Sequence, residues 1–183
     1  MTSAHDPADN APKIAAPKIA RPDARFLRSH PAHLLALGFG SGLSPIMPGT
    51  MGTLLAWLSF VTLSRNYPDT FTTSAWVLFI ALGFLAGIWA CAKTGRDMGS
   101  PDHGSMVWDE IIAFWLVLLL VMPASLGEQF AAFLLFRLFD MVKPPPIRYF
   151  DRHIKGGFGV MWDDLVAAFY TLLVLAIWHT MLA

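Results

Sequence analysis

Cysteine is almost absent from this 183-residue chain: Cys91 is the single copy, set within an apolar run. A lone thiol excludes both a disulfide framework and a thiolate metal site, and Cys91 reads as a small lipid-facing or core residue. Charge is scarce too. Asp, Glu, Lys and Arg make up 14% of the residues, where a soluble domain carries about a quarter. Basic and acidic side chains balance at 13 each, which leaves no basic face for nucleic acid. Residues 1–30 lack the apolar core of a secretory signal and are instead polar and rich in Pro, Ala and basic side chains. Residues 1–24 are expected to form a disordered cytoplasmic tail, and residues 25–183 a single integral-membrane domain.

Hydrocarbon takes the place of charge. Hydrophobic residues reach 55%, with seven Trp that read as interfacial anchors. They gather in five apolar stretches at about 50–64, 74–92, 110–126, 129–142 and 164–182. A helix rises 1.5 Å per residue, so about 20 residues cross a bilayer core of roughly 30 Å. The second and fifth stretches are long enough alone. The others need flanking residues, a thinned bilayer or packing within a bundle. The expected fold class is therefore all-α, a polytopic membrane helix bundle of about five transmembrane helices.

Five crossings put the tail, the 93–109 loop and the 143–163 loop on one side. That side holds eleven basic residues, among them Lys13, Arg21, Lys93, Arg96, Arg148 and Arg152, while Arg65 stands alone on the other. The positive-inside rule then places the N-terminus in the cytoplasm and the C-terminus outside. Before the first crossing, residues 33–50 are apolar but broken by Gly38, Gly40, Gly42, Pro45, Pro48 and Gly49. Such a segment cannot continue as a straight helix, and its unpaired backbone cannot face lipid. It is expected to be re-entrant and covered by the bundle. Its Ser44 and Thr50 offer donors for a phosphate, although the lysine and spacing of a P-loop are missing.

Acids collect on the basic side: Asp97, Asp102, Asp109, Glu110, Asp140, Asp151, Asp163 and Asp164. Carboxylates at membrane-embedded helix ends are costly unless paired or metal-bound, so their concentration marks a functional site. Asp109 and Glu110, with Asp102 upstream, supply hard oxygen ligands of the kind Mg²⁺ takes; alternatively they only complement a helix dipole. His103 beside them is an acid or base near neutral pH, or an idle loop histidine. Arg137, Asp140 and Lys143 follow at spacings of three, roughly on one helix face that ends at Pro144. Two cations beside one acid suit a phosphate, against the plainer reading of a structural Arg–Asp pair with a snorkelling lysine. Asp163 and Asp164, expected to open the last helix after the glycines at 156, 157 and 159, add two further metal-ligand candidates.

Four blocks carry a resemblance that covers most of the chain from His33 to Phe169: GFGSGLSPIMPGTMGT, DMGSPDHGSMVWDEIIAFW, FRLFDMVKPPPIRYFDR and GGFGVMWDDLVAAF. In type and order they resemble the blocks of the bacterial phosphatidylglycerophosphatase A family. The resemblance implies a Mg²⁺-dependent lipid phosphatase of the bacterial inner membrane that converts phosphatidylglycerophosphate to phosphatidylglycerol and inorganic phosphate. It implies Asp102, Asp109, Glu110, Asp163 and Asp164 as the catalytic and metal-binding acids, with His103 beside them. Arg137, Asp140 and Lys143 belong to the FRxFDxxKP block, and with Ser44 and Thr50 they are the expected substrate contacts. The residues taken without the resemblance also admit a small transporter or flippase, or a lipid-headgroup transferase with a similar metal site.

Overall fold

A computed structural model describes residues 19–145, 154 and 156–182, and no strand occurs among them. Seven α-helices follow in order: α1 (Ala24–Ser29), α2 (Pro31–Ala36), α3 (Pro48–Asn66), α4 (Thr73–Asp97), α5 (Trp108–Val121), α6 (Leu126–Val142) and α7 (Gly156–Leu182). A 3-10 segment, Gly38–Leu43, links α2 to α3. Residues 1–18, which make up most of the expected tail, and Asp151, Arg148 and Arg152 lie outside the described residues.

Each of the five apolar stretches is a helix, and local chemistry sets the ends. Thr72 caps α4 by accepting the Ala75 N–H, and α6 starts with a capping box in which Ser125 and Glu128 satisfy each other's backbone N–H. At the other end of α6, Lys143 takes a left-handed conformation at φ 45°, and Pro144 follows. The Gly/Pro-rich segment breaks as expected, with Phe39 at φ 53° and Gly40 at φ 107°. Two helices run further than the sequence pattern predicts. α4 continues to Asp97, where Lys93 pairs with Asp97 one turn on and His33 Nε2 lies 2.7 Å from Asp97 Oδ2. α7 opens at Gly156 rather than at Asp164, so the glycine cluster is helix, not loop. The reason is packing: a Cβ on Gly157 would overlap the Ile88 carbonyl and sit 2.9 Å from the Ala92 Cβ, both on α4.

α5 lies at the centre of the bundle. Ile111, Ile112, Ala113, Phe114, Val117 and Leu118 are buried, and α3, α4, α6 and α7 pack around them. Aromatic rings tie the far half together: Phe60 stacks on Trp76 at 4.4 Å, and the Trp115 indole donates to the Ala56 carbonyl at 2.9 Å. The outward faces are greasy. Leu78, Leu82, Leu85 and Trp89 on α4, and Phe169, Leu173 and Ile177 on α7, are exposed. α4 and α7 are long and apolar enough to cross a membrane, with mean hydropathies of 2.2 and 1.8. Exposed apolar surface of that extent on these helices fits a membrane-associated protein. Chain direction alternates from α3 to α7, so the starts of α3, α5 and α7 meet the ends of α4 and α6 at one end of the bundle. The polar residues sit there.

Candidate functional site

α5 begins without a side-chain cap, and its first turn carries Asp109 and Glu110, both buried. Carboxylates suit that position because the first-turn N–H groups and the helix dipole favour negative charge. Asp163 and Asp164 stand two turns into α7, also buried. One oxygen each from Asp109, Glu110 and Asp164 lies within 4.8 Å of the other two. Asp109 Oδ1, Glu110 Oε2 and Asp164 Oδ2 have no hydrogen-bond partner among the described residues.

Around this triad stand the cations. Arg137 Nη1 is 2.6 Å from Asp140 Oδ2 on its own helix and 3.5 Å from Glu110 Oε1 on α5. It also donates to the Thr53 hydroxyl at 3.5 Å, and that hydroxyl donates to the Gly49 carbonyl at 2.9 Å. Lys143 pairs with Asp163. Its left-handed backbone takes it off the periodicity of α6, so the expected common face of Arg137, Asp140 and Lys143 is divided between two partners. Among the described residues, five carboxylates thus face two cations, and the three anions of the triad are the least compensated. Two unit charges 4 Å apart repel by about 4 kcal/mol at an effective dielectric of 20. Buried anions held that close call for a cation. The donor set is oxygen throughout, and three buried carboxylates with lone pairs unclaimed fit a hard divalent ion such as Mg²⁺.

The structure does not bring every expected residue into this ring. Asp102 is exposed, and its carbonyl accepts from the Ser100 hydroxyl at 3.0 Å. His103 is half-buried on the same loop, with Nδ1 accepting the Ser105 N–H at 3.2 Å. The Ser44 hydroxyl is turned to its own loop and donates to the Ile46 carbonyl at 2.8 Å. Thr50 is nearer in kind: its Oγ1 is buried in the first turn of α3 and has no partner among the described residues. Two residues escaped the sequence reading. Thr53 contacts Arg137, and Gly49 lets α3 press against the site; a Cβ there would overlap Glu110 Oε1 and lie 2.9 Å from Arg137 Nη2. The only signal for either was membership of the Gly-Thr-Met-Gly-Thr run at 49–53.

Comparison with known proteins identifies the family. A family model described as Phosphatidylglycerophosphatase A matches residues 34–179. The Escherichia coli (strain K12) protein named Phosphatidylglycerophosphatase A is 49% identical over 144 residues, covering 78% of this chain and 80% of that protein. Its namesake from Haemophilus influenzae (strain ATCC 51907 / DSM 11121 / KW20 / Rd) is 46% identical over 145 residues, covering 79% of this chain and 86% of that one. No solved structure matches the chain significantly. The matched span takes in α3 to α7 almost whole and every residue of the buried acid and cation cluster, and the chain belongs to the phosphatidylglycerophosphatase A family.

Proposed function

We propose that this protein is a lipid phosphatase that hydrolyses phosphatidylglycerophosphate to phosphatidylglycerol and inorganic phosphate, a step in phospholipid synthesis. Family membership carries the substrate, and the buried triad of Asp109, Glu110 and Asp164 beside Arg137 is the observation that carries the chemistry. Hydrolysis breaks the bond between the terminal phosphorus and the glycerol oxygen. Water supplies the new P–O bond, and a proton goes to the departing alkoxide.

Asp109, Glu110 and Asp164, with Asp163 behind them, would hold Mg²⁺. When bound, the ion supplies charge neutralisation at the phosphoryl oxygens and lowers the pKa of a coordinated water. The chain's own residues do the rest. Arg137 offers a planar fork for two phosphate oxygens, and Asp140 fixes the direction of that fork. Lys143 adds a second positive charge at the rim, and Thr50 and Thr53 add hydroxyls at the start of α3. Asp102 and His103 lie on the outer loop. There the Ser105 N–H occupies His103 Nδ1, which leaves Nε2 to exchange a proton. Ser44 lines a surface cavity together with Gly104 and Ser105 of that loop.

In this reading the site faces the cytoplasm at the surface of the bacterial inner membrane. All five long helices cross the bilayer, the Gly/Pro-rich segment before α3 is re-entrant, and the C-terminus is periplasmic. The alternating helix directions and the basic asymmetry of the loops support it. A ³¹P NMR assay of the purified protein in detergent tests the activity. The monoester signal of phosphatidylglycerophosphate should disappear as inorganic phosphate grows, with the diester signal retained. Loss of the diester, or transfer without phosphate release, would contradict the assignment.

A further inference from the structure

Three segments converge at the polar end of the bundle. Residues 19–23 run across from the end of α4, where the Ile19 N–H donates to the Met98 carbonyl at 3.0 Å. The Gly/Pro-rich segment before α3 packs closely on the loop before α5, and a Cβ on Gly42 would overlap the Ser105 carbonyl. Between these segments lies a cavity of about 560 Å³ lined by Arg21, Pro22, Leu43, Ser44, Pro48 and Ser105. Two of its walls lead directly into the buried cluster. Pro48 precedes Gly49, whose Cβ would overlap Glu110 Oε1. Consecutive Cα atoms are about 3.8 Å apart, so the Pro48 Cα stands within roughly 8 Å of that carboxylate oxygen. Ser105 is four residues before Asp109.

The polar groups of this cavity are uncommitted. Arg21 has no ion pair among the described residues; Asp23, two residues on, caps α1 instead, its Oδ1 accepting the Arg25 and Phe26 N–H groups at 3.0 and 2.8 Å. Ser105 is 9% exposed, and its hydroxyl makes no hydrogen bond to any described residue. In the cluster itself the cations already have acids: Arg137 meets Asp140 and Glu110, and Lys143 meets Asp163.

Resting on the lipid phosphatase reading, we infer that this cavity receives the phosphodiester of the substrate, held by the Arg21 guanidinium and the Ser105 hydroxyl. It thereby distinguishes a lipid with two phosphates from one with a single phosphomonoester. The substrate in that reading carries the terminal monoester that is hydrolysed and the diester that joins the glycerol to the lipid. Two oxygens and three carbons link the two phosphorus atoms. A bridge of six bonds reaches about 7 Å when extended, as two residues of extended backbone do. With its monoester at Asp109, Glu110 and Arg137, the substrate has its diester at the distance of the Pro48 wall. A diester is a monoanion with two free oxygens, which matches the planar fork of an unpaired arginine, and the serine hydroxyl adds a further donor. Arg21 is exposed, so solvent screens part of its charge. Its effect is on which lipid binds, not on the reacting phosphorus.

Phosphate release would be measured in non-ionic detergent on phosphatidylglycerophosphate and on phosphatidic acid with the same acyl chains. Phosphatidic acid keeps the monoester and lacks the diester. Arg21→Gln should lower the ratio of kcat/KM on the first lipid to that on the second at least fivefold, and Ser105→Ala about threefold, with the change in KM. Arg96→Gln removes an exposed cation that lines a separate cavity beside α7, and should leave the ratio unchanged. If phosphatidic acid binds without being hydrolysed, its inhibition constant takes the place of its kcat/KM and should not move in Arg21→Gln. An unaltered ratio in Arg21→Gln, or an equal loss on both lipids, would overturn the inference, because general surface charge acts on both alike. Inorganic phosphate shares the anionic chemistry, and its inhibition constant should be the same in wild type and Arg21→Gln. A rise in the variant would assign the cavity to the released ion and overturn the diester. Wild-type protein that releases no phosphate from either lipid would instead remove the phosphatase reading on which the inference rests.

Discussion

Arg137 on α6 reaches Glu110 on α5 with Nη1 3.5 Å from Oε1, and both side chains are only 11% exposed. The nearer partner of the same nitrogen, Asp140, sits on Arg137's own helix at 2.6 Å. One acid therefore aims the guanidinium while the other belongs to the crowded triad. Arg137→Lys keeps the charge but loses the planar fork. We expect kcat/KM to fall 10²-fold or more, about 2.7 kcal/mol of transition-state stabilisation, with little change in Tm. Asp140→Asn should lower both activity and Tm, since it leaves a buried cation less compensated. Melting curves and phosphate release on the two variants check this. A fully active Arg137→Lys protein would exclude the phosphate clamp.

The triad should make the protein trade stability for function. Neutralising a triad acid that no cation pairs with relieves repulsion at no cost in shape, so in chelator Asp109→Asn and Asp164→Asn should melt above wild type. About 1 kcal/mol, or roughly 2–4 °C for a chain of this size, is the scale to expect. Added Mg²⁺ should raise the Tm of wild type and do less for either variant. Differential scanning fluorimetry with and without Mg²⁺ measures both effects. Variants that melt below wild type in chelator would show that the carboxylates are compensated by groups other than a metal.

Gly49 offers a test of geometry. In an exposed helix, Gly to Ala stabilises by about 1 kcal/mol. At position 49 a methyl would displace Glu110 or the Arg137 guanidinium. Gly49→Ala should accordingly lose at least tenfold in kcat without gaining stability. Normal turnover in that variant would mean that α3 does not form a wall of the reacting site.

The five-crossing arrangement proposed above would place the two termini on opposite sides of the membrane. Reporter fusions should score the N-terminus as cytoplasmic and the C-terminus as periplasmic. A cytoplasmic C-terminus would require an even number of crossings, and α5, at 14 residues, is the helix that would then fail to span.

Much of this fold was legible because apolar runs have little choice but helix when charge is so sparse. All five runs became helices, and the break at Gly38–Leu43 followed from its glycines. Asp109, Glu110 and Arg137 could be singled out because buried charge is conspicuous in an apolar chain. The extensions were harder to read. The α7 glycines at 157 and 159 look like loop until α4 and the Ile154 carbonyl are seen to occupy the space a Cβ would need. Lys143 leaves the face of Arg137 through a single backbone conformation that spacing does not encode. His33 was invisible as an acid's partner. Buried among Phe26, Ser29 and Asp97, it joins elements 64 residues apart, and no periodicity announces such a contact. Thr53 was passed over for the same reason, since its role depends on which helix α3 meets.

The most direct test of the buried triad is a Mg²⁺ titration of phosphate release from phosphatidylglycerophosphate, run on purified wild type and on Asp164→Asn. Asp164 Oδ2 is buried within reach of Asp109 and Glu110 and has no hydrogen-bond partner among the described residues, so the role proposed for it as an anionic ligand is the cleanest to remove. Wild type should be inactive in chelator and saturate with Mg²⁺. Asp164→Asn, folded by its melting curve, should lose at least 10²-fold in kcat/KM or shift its half-saturating Mg²⁺ upward by tenfold or more. Release that is independent of Mg²⁺ in wild type, or an unshifted titration at full rate in Asp164→Asn, would contradict the metal site proposed for Asp109, Glu110 and Asp164.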